Sequence, residues 1–409
     1  MKIGSLRGLI LSAVIAGGAL PAFAQDKPLE PGWLSLDSSV GVLDSKIGDA
    51  KGSLEKALGI GISGYFDTGW SFSTNHPKDP RSISLHYFDK DHNNLVFNGF
   101  NITIDKPEKD WGVGFRLTGD FGRTGELLRE ATLWGRSLHR EPSAELREAF
   151  LTTTIPIGEG LGIKGGLFVT PLGTEIIPNP GAFNDNISRS FLFNLAIPFR
   201  HLGVLLSYPV HKMVGLSFGV VTGWDNPRDN NNQPSFLGGV AFTPTDKISL
   251  ASNLIYGPEQ RPNGPKRFTI ANVLTIKPID PLAIALEYTI GHEGKVTSSG
   301  RDATWQGMAG IASYSWTDRF TTAMRAEWFN DRDGARIGGD AVTGRQNVTV
   351  GEVTFTSAYK FTKMLMGRAE VRQDWSDRNV FAVGNQINRA THVADKSQTT
   401  LGLQLVYQY

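Results

Sequence analysis

IGISGYFDTGWSF, residues 60–72, is the stretch that decides how this chain folds. Ile60, Ile62, Phe66, Trp70 and Phe72 stand at even positions, while Ser63, Tyr65, Asp67 and Ser71 stand at odd ones. Such a period of two sends the two sets to opposite faces of a β-strand. One face is apolar and ends in aromatics, and the other carries a carboxylate. That combination suits a strand with lipid on one side and water on the other.

The period of two recurs from there to Tyr409. It marks strands at 94–104, 111–120, 144–155, 161–170, 201–208, 214–224, 236–243, 248–256, 268–276, 282–290, 304–316, 320–329, 348–359, 364–375 and 399–409, sixteen with the first. Three of them (94–104, 144–155 and 304–316) alternate less cleanly, as strands with bulges do. The connections alternate too. Short ones fall at 105–109, 156–159, 209–212, 244–246, 277–281, 317–318 and 361–363; long polar ones fall at 75–93, 122–142, 171–200, 225–234, 257–266, 292–303, 330–347 and 376–398. An even strand count with turns short at one end and long at the other is the sequence form of a transmembrane antiparallel β-barrel. Trp70, Trp111, Trp224, Tyr256, Trp316, Trp328, Tyr359, Trp375 and Tyr409 close many of the apolar faces, as interfacial aromatics should.

Targeting agrees with this class. Lys2 and Arg7 precede an apolar run at 8–20 and the tripeptide Ala22-Phe23-Ala24, the order of a secretory signal peptide at 1–24 with cleavage expected before Gln25. Removing Lys2 and Arg7 moves the formal charge from +1 to −1 (+1 − 2), which offers no electrostatic reason to expect nucleic acid as partner. The absence of Cys excludes a disulfide scaffold, a thiolate metal site and a cysteine nucleophile. No apolar run after residue 24 is long enough for a spanning helix, so a closed barrel is the one membrane option.

Between leader and barrel, residues 25–59, the spacing Leu36, Val40, Leu43, Ile47, Ala50, Leu54, Ala57 predicts a heptad-like helix over 36–58. It would lie in the periplasm or against the barrel mouth, with homo-trimerisation through the seam as the alternative. The barrel itself is expected over 60–409.

One connection stands apart. PLGTEIIPNPGAFNDNISRSFLFNLAIPFR, residues 171–200, is too long for an ordinary turn; its first half is rich in Pro and Gly and its second half is aromatic. It reads as the third long loop folded into the lumen. A barrel of sixteen strands leaves an aqueous channel that such a loop would narrow. Phe191, Phe193 and Leu195 would anchor it on the inner wall, placing Arg189 and Arg200 at the constriction; the alternative is that Arg189 pairs with a wall carboxylate such as Glu352 or Glu370. The lumen-facing phase carries Arg116, Arg147, Lys164, Arg267, Arg325, Arg368 and Arg372 against Asp67, Asp120, Glu145, Glu287, Glu327, Glu352, Glu370 and Asp374. Seven positive against eight negative charges predict a wet polar wall without net selectivity.

No catalytic motif is present, and no enzyme activity or cofactor is expected. Asp89, Asp91 and Asn93 are spaced like the start of a calcium loop, but Asn94 stands where the loop needs Gly and no closing Glu follows, so no metal is expected. Tyr407 and Tyr409 end the last strand and resemble the carboxy-terminal assembly signal read by the outer-membrane insertion machinery.

Two stretches go further. FDKDHNNLVFNGFNITIDKPEKDWGVGFRLTGDFG (88–122) and SRSFLFNLAIPFRHLGVLLSY (188–208) resemble the paired signatures of the OmpL-like β-barrel porin family, barrel porin-2; GYFDTGWSF (64–72) sits where that family's first strand begins, and Thr222-Gly223-Trp224 matches in part. The resemblance covers 59–409. It implies a Gram-negative outer-membrane porin, a passive diffusion channel for ions and small hydrophilic solutes with outer-membrane lipid around it. The alternative is a closed structural or receptor-like barrel.

Overall fold

The computed structural model describes residues 35–78, 82–108, 112–131, 144–260, 264–297, 299–384 and 394–409. The expected signal peptide and Trp111 lie outside them. Sixteen strands form the wall: β1 (Gly61–Ser73), β2 (Asn94–Lys106), β3 (Val113–Phe121), β4 (Ala144–Ile155), β5 (Leu161–Val169), β6 (Arg200–His211), β7 (Val214–Val221), β8 (Ser235–Thr245), β9 (Ile248–Pro258), β10 (Lys266–Ile279), β11 (Leu282–Glu293), β12 (Ala303–Ser315), β13 (Phe320–Asp331), β14 (Val348–Lys360), β15 (Leu365–Ser376) and β16 (Ser397–Gln408). Each pairs antiparallel with its sequence neighbours, and β1 pairs with β16, so the sheet is a closed barrel. Closure leaves no unpaired edge, which lipid requires because nothing there can satisfy a free N–H or C=O.

The two faces separate as the alternation demands. On β11, Leu286 is 46% exposed and Glu287 is 5% exposed, although they are adjacent in sequence. On β16, Leu401, Leu403 and Leu405 point out, while Thr400, Gly402 and Val406 point in. Bulges occur in two of the three strands that alternate poorly. The register shifts at Asp67/Thr68, where β2 has Asn98 as an extra residue, and at Thr118/Gly119, where β4 has Arg147 as one. The third, β12, keeps a continuous register with both neighbours, so its weak alternation reflects composition and not a bulge. Trp224 departs from the expected interfacial belt: it is 9% exposed and sits inside, beneath the guanidinium groups of Arg267 and Arg336. Strand β7 ends at Val221, before it.

Among the described residues, two α-helices accompany the barrel, and a π-helical turn, Leu192–Ala196, lies in the third long connection. Helix α1 (Ser35–Leu58) coincides with the heptad-like stretch. It meets the barrel through polar and small residues: Tyr407 Oη donates to Asp44 at 3.2 Å, the N–H of Ile62 donates to Glu55 at 2.8 Å, and Gly48 lies close to Met364. Tyr407 belongs to the outward phase of β16, so α1 lies at the rim and not in the lumen. Of its seam, Leu54 is 48% exposed, Ala50 and Ala57 are also exposed, and Ile47 is half-buried. Helix α2 (Arg123–Glu130) lies in the second long connection, where periodicity alone did not mark it, and buries Leu127 and Leu128.

The assigned phase has a direct test. Leu286→Arg puts a cation into the lipid band and should destabilise the barrel by about 2–4 kcal/mol, whereas Thr275→Arg, on the inward face of the neighbouring β10, should leave the folded fraction near that of the parent. Heat-modifiable gel mobility after refolding reads both.

Candidate functional site: the lumen and its inward loop

Residues 170–199 leave the top of β5 and enter the barrel. Pro and Gly keep the first half irregular, with Gly173 at φ 85°, where a Cβ would meet Ile197 Cδ1 at 2.7 Å, and the second half makes one π-helical turn, Leu192–Ala196. An irregular buried segment leaves backbone donors without partners, and each must be satisfied. Here carboxylates do so. Glu287 of β11 accepts the N–H of Thr174 at 2.8 Å; Glu370 of β15 accepts those of Ile187 and Ser188 at 2.6 and 2.9 Å; Glu327 of β13 accepts those of Phe191 and Leu192 at 2.6 and 2.7 Å. Within the loop, Glu175 accepts the N–H of Ser190 at 2.7 Å and also pairs with Arg325 at 2.9 Å. At the exit, Asp225 accepts the N–H groups of Phe199 and Arg200.

The wall's cations take the loop's carbonyls. Arg325 donates to Ser188 O at 2.8 Å and Arg372 to Arg189 O at 2.7 Å; Arg147 and Tyr65 both donate to Pro178 O, and Arg368 donates to Asn184 O. Asn253 of β9 donates to Pro171 O at 2.9 Å, and the N–H of Gly181 donates to Gln408 of β16 at 2.9 Å. The loop therefore crosses the lumen from β5 to the far wall, where β11–β16 take most of its hydrogen bonds, with further ones from Tyr65 of β1, Arg147 of β4 and Asn253 of β9. In its aromatic half Phe191 and Phe193 are buried and Leu195 is half-buried. The ring of Phe193 packs at a tilt against those of Phe88 and Phe199, so part of its support is the first long connection and not the wall.

These contacts redistribute the expected site residues. Arg189 is only 3% exposed, lies against Phe88, and donates to Ile187 O at 2.7 Å. No ion pair with Glu352 or Glu370 forms: Glu352 is taken by Arg325, and Glu370 by the loop backbone. Arg200 is 2% exposed and pairs with Glu145. Neither arginine lines open water, because burial within the packed loop has claimed both. Asp120 pairs with Arg147 at 2.9 Å, Arg372 with Asp374 at 2.6 Å and Arg267 with Glu293 at 2.8 Å, while Asp67 accepts from Asn98 and Gln404. The wall read as wet is, at these positions, a buried and internally paired network. Arg116 and Lys164 differ. The first keeps one loose contact, to Glu148 at 3.9 Å, and the second lies over the rings of Phe150 and Phe168. Glu148 escapes a strict alternation that counts Arg147 as inward; the bulge turns both inward.

Among the described residues, no three His, Asp or Glu side chains are placed to hold a metal. Asp91 pairs instead with Arg123 at 2.8 Å, and Asp89 with His86 at 2.7 Å. His86, in the first long connection, also reaches Asp374 at 3.3 Å. Burial lowers its pKa, but the charge of Asp89 and the hydrogen bonds to both carboxylates outweigh that and push it up to about 9.

Two outcomes follow. Because the pKa of His86 is raised above its ordinary value of 6.5, the stability it contributes is complete below that value and is lost as pH rises through about 9. Amide exchange of residues 82–92 should accelerate across that interval, and His86→Ala should flatten the dependence. Glu370→Ala leaves the donors of Ile187 and Ser188 without their acceptor and should cost about 1–3 kcal/mol of local stability, read as faster exchange at those two amides with the barrel amides unchanged.

Comparison with known proteins agrees with this architecture. Characterised proteins give no significant sequence match. Among solved structures, the outer membrane channel DcaP of Acinetobacter baumannii is similar at TM-score 0.56 and 11% identity, covering 86% of this chain and 97% of that one. The anion-selective porin from Comamonas acidovorans is similar at TM-score 0.57 and 11% identity over 86% and 99%, and Pseudomonas putida OprB at 0.56 and 10% over 87% and 96%. At these identities the likeness is one of fold. The family is shown by the sequence itself: residues 59–409 match the family described as "Putative beta-barrel porin-2, OmpL-like", and the chain belongs to that family of outer-membrane β-barrel porins.

Proposed function

We propose that small hydrophilic solutes and ions diffuse passively between the inward loop and the wall of β5–β9. The observation that carries this is the asymmetry of the lumen. The loop takes most of its hydrogen bonds from β11–β16 and packs on Leu205, Leu237 and Ile255 of the other wall, whose remaining inward positions include a run of small residues, among them Ser207, Gly215, Ser217, Gly239 and Ala251. Small side chains leave room for water, and a sixteen-stranded barrel encloses more space than one loop fills. No step of this transport calls for a catalytic group or a cofactor.

The finer features belong to the same reading. The open seam of α1 supports assembly of three copies through their amino-terminal helices, after removal of residues 1–24. The terminal strand supports recognition by the outer-membrane insertion machinery: it closes the barrel against β1, and Tyr409 Oη donates to Asn101 O at 3.1 Å.

Planar-bilayer recording of the refolded protein should give stepwise ohmic conductance; a folded barrel without conductance would be a closed one. Removal of residues 25–58 should shift the oligomer toward monomer on native gels and leave conductance per barrel nearly unchanged, because α1 lies at the rim.

A further inference from the structure

Most charges of the lumen are already spent. The carboxylates Glu287, Glu327 and Glu370 hold loop backbone, and the buried arginines Arg147, Arg325 and Arg372 hold carboxylates or loop carbonyls. A charge neutralised in a dry network exerts little field on a passing ion. What counts is the charge left facing the open wall, and there the balance differs from the total.

Lys164 stands in β5, with Gly162 and Gly166 as the nearest inward positions on its own strand, so no bulky neighbour on that strand screens it. Its Nζ is 4.8 Å from the ring centroid of Phe150 and 5.8 Å from that of Phe168. A ring face steadies an ammonium without accepting a full hydrogen bond, so its three donors stay free for a ligand. Two strands away, the side chain of Arg116 is 38% exposed and is held only at 3.9 Å by Glu148. Glu148 also accepts from Thr118 at 3.4 Å. The loop's exposed acid, Asp185, is engaged by Ser313 of β12 and faces Arg368, so its charge is directed to the other wall. Lys164, Arg116 and Glu148 share one neighbourhood, and together they leave one net positive charge on this wall.

We propose that Lys164, supported by Arg116, is an anion-binding point on the permeation path and sets a preference for inorganic anions and for small solutes bearing a carboxylate or phosphate. The apolar rings behind the ammonium exclude water on one side, and a fixed charge in such a setting acts more strongly than in bulk water. This rests on the channel reading above.

The test is the reversal potential of single barrels in a KCl gradient, with folding verified by heat-modifiable mobility. The parent should prefer chloride. Lys164→Gln should cut the chloride-to-potassium permeability ratio to roughly half or less, Lys164→Glu should reverse the preference, and Lys164→Arg should restore it. Arg345→Glu, in an exposed outer loop, should leave it unchanged. Inorganic phosphate should slow chloride current in the parent and not in Lys164→Gln. Conducting channels whose ratio is the same in parent and Lys164→Glu would overturn the assignment while leaving the porin reading intact. Folded parent protein that never conducts would overturn both.

Discussion

The structure depends on one interaction: side-chain carboxylates of the wall accepting backbone N–H groups of a loop whose only regular element among the described residues, the π-helical turn Leu192–Ala196, leaves most of them unsatisfied. A segment buried in a lumen cannot leave its amides bare, since each unmet donor costs a large part of a hydrogen bond's full strength. Hydrogen bonds to ionised acceptors are short and strong, and Glu370 and Glu327 each take two successive N–H groups. Paired amides on one carboxylate hold a loop in direction as well as in position.

The same requirement orders the rest of the interior. Carboxylates buried for the loop need counter-charges, and Arg325 supplies them by bridging Glu175 of the loop to Glu352 of the wall. Removing one partner from such a network would strand the other, so its parts stand or fall together. The other long connections join this arrangement. Tyr87 and Phe88 of the first pack on Phe199, Leu128 of α2 lies in the same apolar cluster, and His86 links Asp89 to Asp374. The result is a lumen with two unlike sides: one whose charges are buried and paired beneath the loops, the other with few charges, apolar where the loop packs on it and otherwise lined by small residues. Selectivity in such a channel belongs to the sparse side.

Fold class was legible in the sequence because lipid imposes it. Hydrocarbon on one face and water or protein on the other force a period of two along every strand, and closure forces an even count. The strands at 282–290 and 348–359 extend by only a few residues in the structure, to Leu282–Glu293 and Val348–Lys360. The inward course of residues 171–200 was legible for a related reason: a long aromatic connection needs something to pack on. The bulges limited the reading. One extra residue in β4 brings Glu148 inside beside Arg147, and alternation has no means of counting it.

The sequence by itself determined the barrel, its strand count, the amino-terminal helix and which loop enters the lumen, because each follows from local periodicity or composition. Only the tertiary structure decided which lumen charges are free. Glu327 meets Phe191 across 136 residues and Arg325 meets Glu175 across 150, distances at which one sequence carries no pairing signal. A tally of seven positive against eight negative charges therefore could not distinguish Arg325, sealed between Glu175 and Glu352, from Lys164, which meets only ring faces. The physical reason is that neutralisation acts at contact distance, and contact between residues so far apart in the chain exists only once the barrel has closed around its loop.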